Sequence, residues 1–215
     1  MQNLFILIIW ELKILNKANN FIKSYLSLFL LYILSVALTC NQDDMINSGL
    51  VFAIIYAPVS LIGFCDQIFR QDVEEGYLEL LLNSFVSSEI ILAKYCSLFL
   101  TVCACCCCCL PIIALAFNIS PNLIIILFCI LLLIFALACG MIILVSSIQA
   151  YFRHKTNLLQ ILIMFMIIPS IIIAGVILHS HAYYLFLVLL GIDMILIPII
   201  LFLSSFLIKN VYSFE

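Results

Sequence analysis

Few residues in this sequence have types and spacing that could do chemistry. His179 and His181 stand two apart beside Tyr183, and histidine is a ligand of haem iron. Residues i and i+2 point apart on a helix, however, and this pair falls in a short connection, where an ordinary hydrated turn also accounts for it. Asp193 is the one acid well inside an apolar run. At the centre of a bilayer an aspartate costs about 2.5–3.5 kcal/mol, so it must face other helices and find a partner. It is then either a conduit or gate residue or a hydrogen bond that fixes helix packing. Six of the eleven cysteines lie between Cys103 and Cys109. Consecutive helical residues diverge by about 100°, so such a run cannot converge on one tetrahedral metal, and buried cysteine packs as a small hydrophobe. No nucleophile has a histidine near it in a polar stretch, and no His-x-x-x-His pair occurs. The expectation is a chain with no catalytic residues and no metal centre of its own.

The elements that must position these residues follow from composition. Hydrophobic residues make up 67% of the chain and charged residues 9%, against roughly 25% charged in a soluble domain. Too few charges are present to wet a surface, so the solvent must be lipid. No basic run suggests nucleic acid, and no small-residue cleavage site follows the first apolar stretch, so no removable signal peptide is expected.

Apolar runs of the length that spans a bilayer recur about six times. They cover residues 24–40, 46–65, 95–117, 123–148, 158–178 and 183–208. Pro58, Pro111, Pro169 and Pro198 fall inside them, where proline bends a helix, and Gly140, Gly175 and Gly191 would permit close helix contact. All eight Lys and Arg residues (Lys13, Lys17, Lys23, Arg70, Lys94, Arg153, Lys155 and Lys209) fall before, between or after the spans on one side. The positive-inside rule makes that side cytoplasmic and puts both termini there. The connections on the other side are too short to form a domain.

The fold class expected is therefore an all-α integral membrane protein with two polar cytoplasmic features. Residues 1–23 read as an interfacial helix, with Lys13, Asn16, Lys17 and Asn20 on one side, Leu4, Leu7, Ile8 and Leu15 on the other, and Trp10 at headgroup level. Ile6 and Ile9 on the polar side and Glu11 on the apolar side break that pattern. Residues 24–215 form one membrane domain with a cytoplasmic loop at 66–94. That loop carries six acids (Asp66, Asp72, Glu74, Glu75, Glu79 and Glu89) against Arg70 and Lys94. Over 66–82 the period predicts an amphipathic helix, with Phe69, Val73, Tyr77 and Leu80 in one stripe and Gln71, Asp72, Glu75 and Glu79 opposite. Gly76 interrupts it. An acidic helix suits a protein partner better than the anionic inner leaflet; a solvated linker resting on the bundle is the plainer reading.

The stretch Phe69-Arg-Gln-Asp72-Val-Glu-Glu-Gly76-Tyr-Leu78-Glu79-Leu-Leu81, followed by Glu89-Ile-Ile-Leu-Ala-Lys94, resembles the loop between the second and third spans of ABC-2-type permeases. More narrowly, it is similar to the haem exporter protein B (CcmB) family of cytochrome c maturation. Chain length, the number of spans, the lack of an outer domain and Pro169 in the fifth span agree with that resemblance. Family members usually carry proline after the Leu-Leu of this loop, where this chain has Asn83-Ser-Phe-Val-Ser-Ser88.

The resemblance implies a permease subunit in a bacterial inner membrane that takes its energy from a separate ATPase. None of the six glycines begins a Gly-x-x-x-x-Gly-Lys-Ser/Thr phosphate loop. It further implies a CcmA-like ATPase, CcmC-like and CcmD-like membrane proteins, and two copies of the chain in the complex. ATP would bind in the partner, and haem is a possible substrate. Phe69, Asp72, Val73, Glu75, Gly76, Leu78, Glu79 and Lys94 become the expected ATPase-coupling residues. ATP would drive either haem export or release of a haem-loaded chaperone; a scaffold that only anchors an assembly complex is the alternative. A redox subunit with paired histidines inside its spans is disfavoured, because no span contains one.

Overall fold

A computed structural model describes residues 2–18, 21–39, 45–62, 68–69, 72–73, 75–152, 157–180, 182 and 184–211. His181, Tyr183, Asp66, Arg70, Gln71, Glu74, Arg153 and Lys155 lie outside them. The described residues form eight helices and no strand: α1 (Gln2–Ala18), α2 (Phe21–Thr39), α3 (Met45–Ile62), α4 (Tyr77–Ser84), α5 (Ser87–Phe117), α6 (Pro121–Phe152), α7 (Asn157–Ser180) and α8 (Tyr184–Lys209). Four helices or parts of helices are long and apolar enough to cross a membrane: α5, α6, residues 163–180 of α7, and α8. Shorter apolar segments, Tyr25–Val36 and Gly49–Leu61, lie in α2 and α3.

The arrangement follows from α6. Its sequence is apolar all round, and a helix of that kind belongs in the interior. Every residue from 137 to 147 is buried, and α6 packs against α3, α5, α7 and α8. The outer helices instead turn large side chains outward, among them Leu31 and Leu34 of α2, Phe165 of α7, and Leu187, Met194, Phe202 and Phe206 of α8. In water that surface would be untenable; against hydrocarbon it costs nothing.

Several serine and threonine hydroxyls in the long helices donate to the backbone of their own helix. Ser97 donates to the Lys94 carbonyl, Thr101 to Ser97, Ser147 to Ile143 and Ser204 to Ile200, at 2.7–2.9 Å. Between α5 and α6 the chain reverses in a few residues. Asn118 takes the left-handed conformation (φ 50°), its N–H donating to Ala114, and Pro121 opens α6. Asparagine tolerates that conformation, and proline at the first helical position loses no needed donor.

Two boundaries differ from the sequence expectation. α5 begins at Ser87, so the last part of the expected 66–94 loop, Lys94 included, is helical. Residues 66–82 do not form one helix either. Gly76 lies at φ 69°, a left-handed conformation that ends one helical turn and starts another. The stripe expected from Phe69 to Leu80 is consequently broken, and Leu80 is 65% exposed whereas Phe69 is fully buried. Of the glycines expected at helix contacts, Gly140 faces Ile200, while a Cβ on Gly175 or Gly191 would meet nothing within 4 Å.

The tightest approach is elsewhere. A Cβ on Gly49 of α3 would sit 3.1–3.2 Å from the ring of Phe117, and the Gly49 carbonyl accepts a 3.0 Å hydrogen bond from Tyr32. Gly49→Ala is expected to lower the thermal stability of the detergent-solubilised protein by about 1–3 kcal/mol of overpacking, less about 1 kcal/mol of helix propensity. Gly140→Ala, whose Cβ would find Ile200 at an ordinary 3.6 Å, should be neutral or stabilising.

Candidate functional site

Lys94 sits in α5 among Ile90, Ile91, Ala93, Ser97 and Leu98, all buried. Its side chain is 5% exposed, and an ammonium in that position needs counter-charge. Two carboxylates supply it. Asp72 Oδ2 lies 2.6 Å from Lys94 Nζ. Glu11 of α1 is the second, with both carboxylate oxygens at 3.1 Å and Oε2 accepting a hydrogen bond. The ammonium also lies 5.2 Å from the centre of the Phe69 ring, a cation–π distance.

Three separate stretches of chain thus meet on one nitrogen. Phe69 and Asp72 are held in register by a helical turn, Val73 N–H donating to the Phe69 carbonyl at 3.0 Å. After Gly76, α4 buries Leu78 and Leu81, and Phe85, in extended conformation, leads into α5. Trp10 of α1 lies against Tyr77 at the start of α4, ring centres 4.9 Å apart. Among the described residues the cluster sets two carboxyl groups against one ammonium. Burial pushes the Glu11 carboxyl above its ordinary value of 4.5, and the Asp72 charge adds to this while Lys94 opposes it. The Tyr77 hydroxyl is also pushed up, by burial first and then by the charges of Glu11 and Asp72.

The expected coupling residues divide into two sets. Phe69, Asp72, Leu78 and Lys94 are buried, Val73 is half-buried against the core, and Gly76 supplies the break. Glu75 and Glu79 are exposed, and beside them Leu80 and Val86 expose apolar side chains. Glu11 was not among the expected residues. Its signal was the misfit already noted, an acid on the apolar side of α1. Opposite it, α1 exposes Phe5, Ile6, Ile9 and Trp10, so the misplaced isoleucines form an outward apolar face and Glu11 an inward polar one.

The remaining candidates are not brought into this cluster. His179 is exposed at the end of α7. Among the described residues no group of three His, Cys, Asp or Glu side chains could hold a metal ion. In the cysteine run, Cys105, Cys106 and Cys109 are buried and Cys107 and Cys108 exposed, as a helix disperses neighbours. Asp193 lies on the buried seam of α8 with Leu189, Ile200 and Ser204. It is 4% exposed, and neither carboxylate oxygen has a hydrogen-bond partner among the described residues.

Long apolar helices around a buried α6, with a loop clasped to the head of α5 by ion pairs, define a polytopic helical membrane protein. The chain belongs to the CcmB protein family, whose pattern it matches over residues 2–209. It is 38% identical over 213 residues to an uncharacterised protein of Rickettsia conorii, covering 99% of both chains. A second uncharacterised protein, from Rickettsia prowazekii, is 37% identical over 213 residues with the same coverage. No solved structure matches the chain. Family membership implies the role of a haem-exporter permease in cytochrome c maturation, working with a CcmA ATPase.

Two consequences can be measured. Lys94→Met leaves two buried carboxylates facing each other, and thermal or denaturant unfolding should show a loss of about 3–5 kcal/mol; Asp72→Asn, which leaves the Glu11–Lys94 pair, should cost less. Asp193→Leu removes a buried acid without a hydrogen-bond partner among the described residues and should raise stability by about 1–3 kcal/mol. A stabilised Asp193→Leu protein that no longer supports cytochrome c maturation would assign the acid to function rather than packing.

Proposed function

We propose that this chain is the membrane-spanning permease subunit of an ABC transporter complex for haem delivery in c-type cytochrome biogenesis. ATP hydrolysis by a separate CcmA-like subunit drives either haem export or release of a haem-loaded chaperone. The carrying observation is the division of the loop after α3 into a buried set fixed by Lys94 and an exposed set, Glu75, Glu79, Leu80 and Val86. The inward set holds the loop to the head of α5, and the outward set offers acidic and apolar groups to a docking ATPase. Force on the outward set passes to α5 through the clasp. The six glycines still include no start of a phosphate loop, so the nucleotide is the partner's.

In this reading the chain crosses a bacterial inner membrane six times. α2 and α3, of 19 and 18 residues, reach about 27–29 Å at 1.5 Å per residue, close to the hydrocarbon thickness. Both termini and the clasp are cytoplasmic because every Lys and Arg falls on their side. CcmC-like and CcmD-like proteins and a second copy of the chain complete the complex.

The test is co-expression with the ABC ATPases of its own genome, followed by co-purification and ATPase measurement. Wild type should retain one ATPase through detergent washing. Glu79→Lys should weaken that association about tenfold or more, because a like-charge juxtaposition costs several kcal/mol. A folded wild-type chain that retains no ATPase would overturn the permease reading. Charge reversal at Glu75 and Glu79 that lowers assembly, yet leaves the ATPase activity of each assembled complex unchanged, would favour a scaffold that anchors partners without transmitting motion.

A further inference from the structure

We propose that Glu11 is a positioning residue that makes α1 a moving part of the coupling machinery, so that α1, the loop and the head of α5 shift together. This rests on the permease reading above. Glu11 and Lys94 are 83 residues apart in sequence, yet share a buried ion pair at 3.1 Å. The same ammonium holds Asp72. Drawing either carboxylate away would strand a buried charge, so displacement of the loop is transmitted to α1 rather than absorbed between them. The Trp10–Tyr77 contact ties the same two elements a second time.

Charge balance separates this role from a purely static one. Among the described residues Asp72 matches the charge of Lys94 by itself and fastens the loop to α5. Glu11 adds a second carboxyl group to that pair and is itself 3% exposed. Among the described residues the charged and titratable groups around it are Lys94 of α5, Asp72 of the loop and Tyr77 of α4. Its carboxyl is raised above the ordinary value, chiefly by burial. The folded state therefore binds that proton more tightly than the unfolded one, and stability falls as pH rises from the ordinary carboxyl value through the raised one. Ionising Glu11 is therefore a net cost to the fold. What it supplies is a mechanical link from the clasp to a helix whose other face (Phe5, Ile6, Ile9, Trp10) is apolar and suited to the bilayer interface.

Trp10 is the single tryptophan of the chain and reports directly on α1. The experiment uses the chain with its co-purified ATPase in vesicles containing lipids brominated along the acyl chain, with and without a non-hydrolysable ATP analogue. Trp10→Phe complexes supply the background from partner tryptophans. In wild type, nucleotide should change the quenching of Trp10. In Glu11→Gln the ATPase should still bind and thermal stability at neutral pH should equal or exceed wild type, but the nucleotide-dependent change should be lost. Glu11→Asp, which keeps the charge, should restore most of it. A nucleotide response that survives in Glu11→Gln, or an ATPase-bound wild type whose Trp10 ignores nucleotide, overturns the linkage while leaving the permease reading intact. A Glu11→Gln chain less stable than wild type makes Glu11 a structural residue and also overturns it. Failure of wild type to retain any ATPase overturns the permease reading itself.

Discussion

Lys94 carries a full charge into a region where almost everything else is apolar, and much of the architecture around the start of α5 follows from how that charge is met. An ammonium at the head of a membrane helix cannot be left bare; several kcal/mol of lost hydration must be offset by close counter-charge. The nearest helical neighbours of Lys94 are Ile90, Ile91, Ala93, Ser97 and Leu98, none of which can do so. Counter-charge therefore has to come from outside α5, and it comes from Asp72 and from Glu11. Meeting one charge thus brings the loop and α1 to the same place. The Phe69 ring and the Trp10–Tyr77 contact then fill in around a geometry the ion pairs have set.

Within the long helices the constraint is of a different kind. Lipid offers no hydrogen bonds, so polar side chains must be satisfied locally, and the serines and Thr101 return to carbonyls three or four residues back. Helix association gains little from apolar burial when the surroundings are equally apolar; it relies on close packing. That is the role of Gly49 against Phe117, and of a central α6 buried continuously over residues 137–147. Asp193 departs from this rule. Its oxygens are neither returned to the backbone nor paired among the described residues, which separates it from the hydroxyl residues whose presence packing alone explains.

The long helices were legible because the signal for them is composition over many residues, which no single side chain can reverse. The division of the loop was only half legible. Periodicity drew one helix through residues 66–82, but Gly76 reverses the local backbone, and a period carried across such a break rotates every later residue. For this reason Leu80 is exposed where the pattern placed it with Phe69, while Leu78 and Leu81 are buried. The clasp was present in the sequence as two separate misfits, an acid on the apolar side of α1 and a base close to the start of a span. Neither explains itself alone. In a chain with 8 bases and 11 acids, an acid and a base that are both misplaced are candidates for each other, even 83 residues apart. Proximity of that range is decided by how α1 packs along α5, which no local pattern encodes.

In the proposed permease, the separation of inward from outward acids also bears on how such a loop would do two jobs. A residue that grips the bundle and one that grips a partner make opposing demands: the first gains from burial, the second requires exposure. If Asp72 served both, tightening the partner would loosen the clasp. Placing Asp72 on Lys94 and leaving Glu75 and Glu79 exposed frees each to be adjusted without the other. The left-handed turn at Gly76 comes directly after Glu75 and divides the clasp residues, Phe69 and Asp72, from α4, which carries Glu79. A residue with a side chain would be strained in that conformation. The single glycine of the loop thus sets where the segment held to Lys94 ends and α4 begins.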